Sequence, residues 1–155
     1  MSQENHPKQF LDVLGIGKTL IQMTYDRLRK LVPDSQIYVV TNSSYANSVK
    51  EQIGIPDDQI LTEPMRKNTA ACIAYASHKI YNLNPNANLI VAPSDHLILK
   101  EDKFVDIVNV ALEKSISEEC LVTLGIKPSR PHTGYGYIRF ENGRDIIMGE
   151  VRKVR

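Results

Sequence analysis

The sequence has no surplus of charge, few cysteines and no long apolar run, and each shortage removes a class of function. Nineteen Lys and Arg stand against eighteen Asp and Glu, a formal net charge of +1. No long-range field therefore draws nucleic acid or an anionic membrane, and any anionic ligand must be caught locally. The two cysteines, Cys72 and Cys120, form neither a disulfide framework nor a metal-ligand spacing, which points to a reducing, cytoplasmic setting. No apolar run approaches the roughly 20 residues that span a bilayer. The start MSQENHPKQ lacks the basic-then-apolar layout of a secretion signal. The histidines, His6, His78, His96 and His132, are scattered, and no Ser-His-Asp or Cys-His arrangement presents itself. Oligomeric state is left open, a homo-oligomer included.

What is present suits a soluble globular chain. At 155 residues, 42% hydrophobic and 24% charged, one domain is expected over residues 1–155. Apolar spacing switches between the helical and extended periods, the mark of an α/β fold with a mostly parallel sheet and crossover helices. KTLIQMTYDRLRKLV reads as a helix with Leu20, Ile21, Thr24, Leu28 and Leu31 on one face, QIYVVTN as a buried strand, and SSYANSVKEQIG as a polar helix stopped by Gly54. QILTEP reads as a short strand, NTAACIAYASHKIYNL as a small-residue helix that should be buried, and LIVA as a strand running into Pro93-Ser94-Asp95-His96. EDKFVDIVNVALEKSI is a further amphipathic helix with Phe104, Val105, Val108, Ala111 and Leu112 on its face, CLVTLGI a strand, and GYGYIRFENG with IIMGEVRKVR an extended pair.

The stretch LGIGKT, residues 14 to 19, has the tail of a phosphate-binding P-loop. The full motif needs a glycine five residues before Gly17, and that residue is Asp12. A carboxylate there would repel the anion, so Gly15 and Gly17 are read as a tight turn before a helix.

In parallel sheets, ligands gather at the carboxyl ends of the strands. Three such ends carry polar groups. Asp95 follows LIVA and offers oxygen to a hard cation such as Mg²⁺, or else Ser94 and Asp95 merely shape a turn. Asn68 and Thr69 follow QILTEP and suit an N-cap, or a ligand at an open helix terminus. Gly134 and Gly136 flank Tyr135, giving either a plain turn or a platform for close backbone approach. Lys8, beside the stiffening Pro7, could aim an ammonium at a phosphate.

Taken together, HPKQF, EPMRKNTAACIAYAS, VAPSDHLI and LGIKPSRPHTGYGYI resemble the sugar-nucleotide pyrophosphorylases, nucleotidyltransferases among which the mannose-1-phosphate guanylyltransferases are most similar. The resemblance implies a Rossmann-like nucleotide-diphospho-sugar transferase domain that joins GTP to mannose 1-phosphate with Mg²⁺, giving GDP-mannose and pyrophosphate. It implies Asp95 as the metal ligand and, with Lys8 facing phosphate, as the catalytic pair. It also implies Asn68, Thr69 and Ser94 on the nucleotide side and Gly134 and Tyr135 at the sugar. The family carries a first strand and a Gly-Gly-x-Gly-x-Arg loop before PKQF, where MSQEN stands here. It also carries a Glu-Lys-Pro segment and a further acidic metal ligand beyond the point matching Arg155. The expectation is therefore the middle of a catalytic domain, with little activity by itself. A binding or regulatory module that keeps the sugar-nucleotide pocket without chemistry is the alternative.

Overall fold

A computed structural model describes residues 7–65, 67–118, 120–126, 129–131, 133–134, 136–137 and the backbone of 151–153. It divides the chain into two compact units, Met1–Glu101 and Asp102–Arg155.

In the first unit, Leu20–Leu28 form α1. It is shorter than its apolar spacing suggests, because residues 29–32 continue as turns toward Pro33. Thr19 opens it, its N–H donating to Gln22 Oε1 at 2.9 Å, which is half of the reciprocal Thr-x-x-Gln cap. The buried face is Leu20, Ile21, Thr24 and Arg27, so an arginine takes a place expected of a leucine. Val39–Asn42 form β1, Ala46–Ile53 form α2, and Ile60–Glu63 form β2. Gly54 ends α2 in the left-handed region at φ 73°, a conformation in which a side chain would be strained. Strands β1 and β2 pair in parallel, Val39 opposite Ile60 and Asn42 opposite Glu63, with α2 as the crossover.

The core of this unit is Ile21, Val49 and Ile55, with Phe10, Tyr25, Val39, Ile53 and Ile60 packed around it. Burial of each such aliphatic side chain contributes about 1.5–3 kcal/mol. Buried Gln59 is satisfied by donating to Asp34 O at 2.6 Å and Ile37 O at 2.7 Å.

Two expectations fail here. Asn68–Leu83 form α3 with the expected bounds, yet none of its residues is buried. Its small apolar residues form a helix readily, but burial needs a second surface, and α3 packs mainly beside β2. LIVA forms no ladder among the described residues. Leu89 and Val91 lie exposed while Ile90 and Ala92 are half-buried, so the alternation of a strand persists without a hydrogen-bonded neighbour.

The second unit contains most of α4, Glu101–Ser117, with Val108 buried at its centre, Phe104, Val105, Ile107, Val110, Ala111 and Leu112 half-buried, and Ile116 exposed. Val122–Leu124 form β3 and Val151–Lys153 form β4, paired antiparallel with Val122 opposite Lys153. The expected pairing of GYGYIRFENG with the last segment falls largely outside the described residues. The described part, β4, pairs with β3. No helix among the described residues is long and apolar enough to cross a membrane.

Candidate functional site

The site is assembled from a turn near the start of the chain. Pro7, at φ −60° and ψ 142°, leads into a single 3₁₀ turn, Lys8–Phe10. Phe10 anchors that turn by packing on the Ile21, Val49 and Ile55 cluster, its ring centroid 5.9 Å from that of Tyr45. Leu20 N–H donates to Leu11 O at 3.3 Å, and Gln52 Nε2 donates to Phe10 O at 3.4 Å. With the turn so held, Lys8 projects toward a residue 87 positions further on. Its Nζ lies 3.4 Å from Asp95 O and 3.8 Å from Asp95 Oδ2. Ser94 and Asp95 form a turn and are half-buried, and His96 Nε2 stands 4.0 Å from Asp95 Oδ1.

The side chains of Lys8 and Asp95 are 54% and 44% exposed. An ion pair so open to water contributes only about 0–1 kcal/mol. Its meaning is therefore one of placement: an ammonium and a carboxylate, far apart in sequence, share a solvent-accessible spot and can exchange partners at little cost. Asp95 already presents a carboxylate oxygen and a carbonyl oxygen to one cation, the ammonium, and that donor set suits a hard divalent ion. No group of three or more His, Cys, Asp or Glu side chains with metal-site geometry occurs among the described residues. Mg²⁺, however, commonly takes one or two carboxylates and fills its other positions with water and substrate phosphates.

The remaining predicted residues are placed as follows. Asn68 and Thr69 stand exposed at the start of α3, five residues beyond the carboxyl end of β2. The capping role expected of them is not observed. Lys67 is the N-cap, no side chain caps the helix, and Asn68 has φ 66°, a left-handed conformation that Asn tolerates but that differs from the extended N-cap geometry. Gly134 lies in an exposed turn of the second unit, and Tyr135 lies outside the described residues.

The LGIGKT turn is filled from within. Asp12 accepts from Ile16 N–H at 3.1 Å and Gly17 N–H at 2.7 Å, with Gly15 and Gly17 at φ 66° and 80°. The chain's own carboxylate occupies the backbone donors a phosphate would need. Lys18 is turned away and pairs with Asp26 at 2.6 Å. A cleft of about 400 Å³ between β2 and α3 is lined by Tyr38, Ile60, Thr62, Tyr75, Lys79 and Leu83 among others, and holds none of the predicted site residues.

The sequence model of the nucleotidyl transferase family matches residues 1–151. The chain belongs to that family. Among the relatives of this nucleotidyl transferase chain are the xanthan biosynthesis protein XanB of Xanthomonas campestris pv. campestris, 38% identical over 142 residues that cover 90% of this chain and 30% of that protein. The mannose-1-phosphate guanylyltransferase of Sinorhizobium fredii is 38% identical over 89% of this chain and 27% of its own length. The mannose-1-phosphate guanylyltransferase RfbM of Salmonella typhimurium is 38% identical over 90% of this chain and 29% of its own. A crystal structure described as mannose-1-phosphate geranyltransferase from Thermus thermophilus superposes with a TM-score of 0.72 at 30% identity, over 86% of this chain and 38% of that one. The α/β architecture is thus that of the nucleotide-diphospho-sugar transferases, and the chain spans about 30% of the length of the curated relatives it matches.

Proposed function

We propose that this nucleotidyl transferase chain carries part of the catalytic domain of a mannose-1-phosphate guanylyltransferase, and that residues 1–155 form one incomplete domain with little turnover by themselves. The observation that carries the reading is the meeting of Lys8 and Asp95 across 87 residues. The names of the relatives support the substrates, GTP and mannose 1-phosphate.

The chemistry asks little of the protein beyond placement. A phosphate monoester has its second pKa at about 6, so the sugar phosphate oxygen that attacks the α-phosphorus is already anionic at neutral pH. No general base is needed. A new bond forms between that oxygen and the α-phosphorus, the bond to the bridging oxygen breaks, and pyrophosphate leaves with the electron pair. Lys8 offsets phosphate charge from one side. Asp95 would hold Mg²⁺, which supplies charge neutralisation and in-line orientation when bound. Asn68, Thr69 and Ser94 would contact the nucleotide, and Gly134 and Tyr135 the sugar. The setting we propose is the cytoplasm, in keeping with two unpaired cysteines.

The test is pyrophosphate release from GTP and mannose 1-phosphate in excess Mg²⁺, together with calorimetry of GDP-mannose binding. Little turnover is expected from residues 1–155, with metal-dependent binding that Asp95→Ala and Lys8→Ala each weaken. Robust turnover by this chain alone would overturn the account of an incomplete domain. Tight GDP-mannose binding without turnover, indifferent to Asp95→Ala, would instead identify a non-catalytic binding module.

A further inference from the structure

The meeting of Lys8 and Asp95 depends on how the turn around Lys8 is held, and that turn supplies little of its own support. None of its residues is buried and no side chain caps it. Support reaches it through Phe10 and Leu11, and one source is a glutamine 42 residues further on.

Gln52 is half-buried in the last turn of α2. Its Oε1 accepts from Thr19 Oγ1 at 2.7 Å, and its backbone carbonyl accepts from Gln22 Nε2 at 2.9 Å. These two bonds tie the end of α2 to the start of α1, and the first holds the Gln52 side-chain amide at its oxygen. The Nε2 group is thereby directed at Phe10 O, to which it donates at 3.4 Å. Within the turn, Phe10 N–H donates to Pro7 O at 3.0 Å and Leu11 N–H to Lys8 O at 3.1 Å, so a constraint on Phe10 O is passed directly to Lys8.

We propose that Gln52 is a positioning residue: bridging Thr19 and Phe10 O, it sets the Pro7–Leu11 turn so that the Lys8 ammonium stands at Asp95. It acts through Lys8 and touches no substrate. Its importance for nucleotidyl transfer rests on the reading of Lys8 as the phosphate-facing cation.

Gln52→Glu separates the two functions of the side chain. It keeps an acceptor for Thr19 and the carbonyl for Gln22, and it removes the donor to Phe10 O. Hydrogen exchange is the first readout. A net hydrogen bond of about 0.5–1.5 kcal/mol corresponds to exchange of the Phe10 and Leu11 amides roughly twofold to twelvefold faster, with the Gly54 amide, bonded to Lys50 O, unchanged. Unaltered turn amides would overturn the proposal, and so would an equal acceleration at Gly54, which marks general loosening.

Binding of Mn²⁺ with inorganic pyrophosphate, measured by calorimetry on the same chain, is the second readout. Gln52→Glu should weaken it by roughly twofold to twelvefold, and should add nothing on a Lys8→Ala background, since the two residues form one unit. A full additive loss in the double variant would overturn positioning through Lys8. Binding that ignores Lys8→Ala altogether would sink the functional reading of Lys8, while the exchange rates still decide whether Gln52 holds the turn.

Discussion

Arg27 occupies a position on α1 where helical spacing calls for an apolar side chain, and it is 1% exposed. Its Nη2 donates to Thr24 Oγ1 at 3.0 Å, and its Nη1 lies 3.9 Å from Glu101 Oε1. Glu101 also takes Lys30 Nζ at 3.0 Å. Burial pushes the Arg27 pKa below its ordinary value, and the nearby Glu101 carboxylate opposes that shift. Removing the carboxylate would leave the guanidinium charged in a place water does not reach. Fully buried pairs lose about 3–5 kcal/mol when broken, but the long contact and the partly exposed Glu101 reduce this. Glu101→Gln is expected to destabilise the chain by about 1–3 kcal/mol in urea unfolding, and Arg27→Met added to it should recover part of the loss. A neutral effect of Glu101→Gln would show that the carboxylate does not compensate the buried cation. Asp12 gives a second residue-scale prediction. The Gly17 N–H, and less strongly that of Ile16, hold its carboxyl below the usual carboxylate range. A group with a depressed folded pKa adds stability that is in place above its unfolded value of about 3.9 and is lost as pH falls through the lower folded value. The Gly17 amide resonance should therefore shift in acid with a midpoint below about 3.9, and in Asp12→Asn that transition should be absent.

At the scale of elements, local rules act where a single residue decides the outcome. Gly54 ends α2 at φ 73°, and a Cβ placed there would meet no neighbouring atom, so the penalty of substitution is conformational alone. Gly54→Ala should cost about 1 kcal/mol in thermal unfolding, leaving the secondary-structure content unchanged; no loss would mean that the α2 terminus relaxes out of the left-handed conformation. The same locality explains what the sequence reveals. The bounds of α3 and α4, the stop at Gly54 and the positions of β1 and β2 all follow from spacing, turn residues and β-branched runs within a few residues. The burial of α3 and the ladder of LIVA do not follow, because each needs a surface contributed from elsewhere. The site divides in the same way. Asp95 could be suspected from its place after an apolar run, and Lys8 from its proline and from the resemblance, but their meeting belongs to tertiary structure. Nothing near Gln52 or Arg27 in sequence announced that one would hold the Lys8 turn and the other would be buried.

For the molecule as a whole, the balance of apolar surface decides behaviour. Among the described residues, six hydrophobic side chains are buried while sixteen large ones are exposed, and stability in small folds comes chiefly from the former. Eight of the exposed ones fall in two runs of the first unit: Leu11, Val13, Leu14 and Ile16 after the Lys8 turn, and Leu89, Val91, Leu97 and Leu99 around Asp95. Monomeric soluble proteins rarely leave large apolar patches uncovered, and Leu89–Ala92 adds strand-forming backbone without a ladder, a template for pairing with another chain. In relatives of which this chain spans about 30%, further chain is available to cover such surface. The 155-residue chain at neutral pH should therefore bind a hydrophobic dye such as ANS without acid or denaturant, and its scattering mass should rise with concentration. Charged substitutions on exposed positions of the second run, Leu89→Lys with Val91→Glu, should lower both signals while leaving the β1–β2 pairing intact, since neither residue belongs to the core around Ile21, Val49 and Ile55. A dye-silent chain that stays monomeric and unfolds cooperatively would show that these residues are covered in solution.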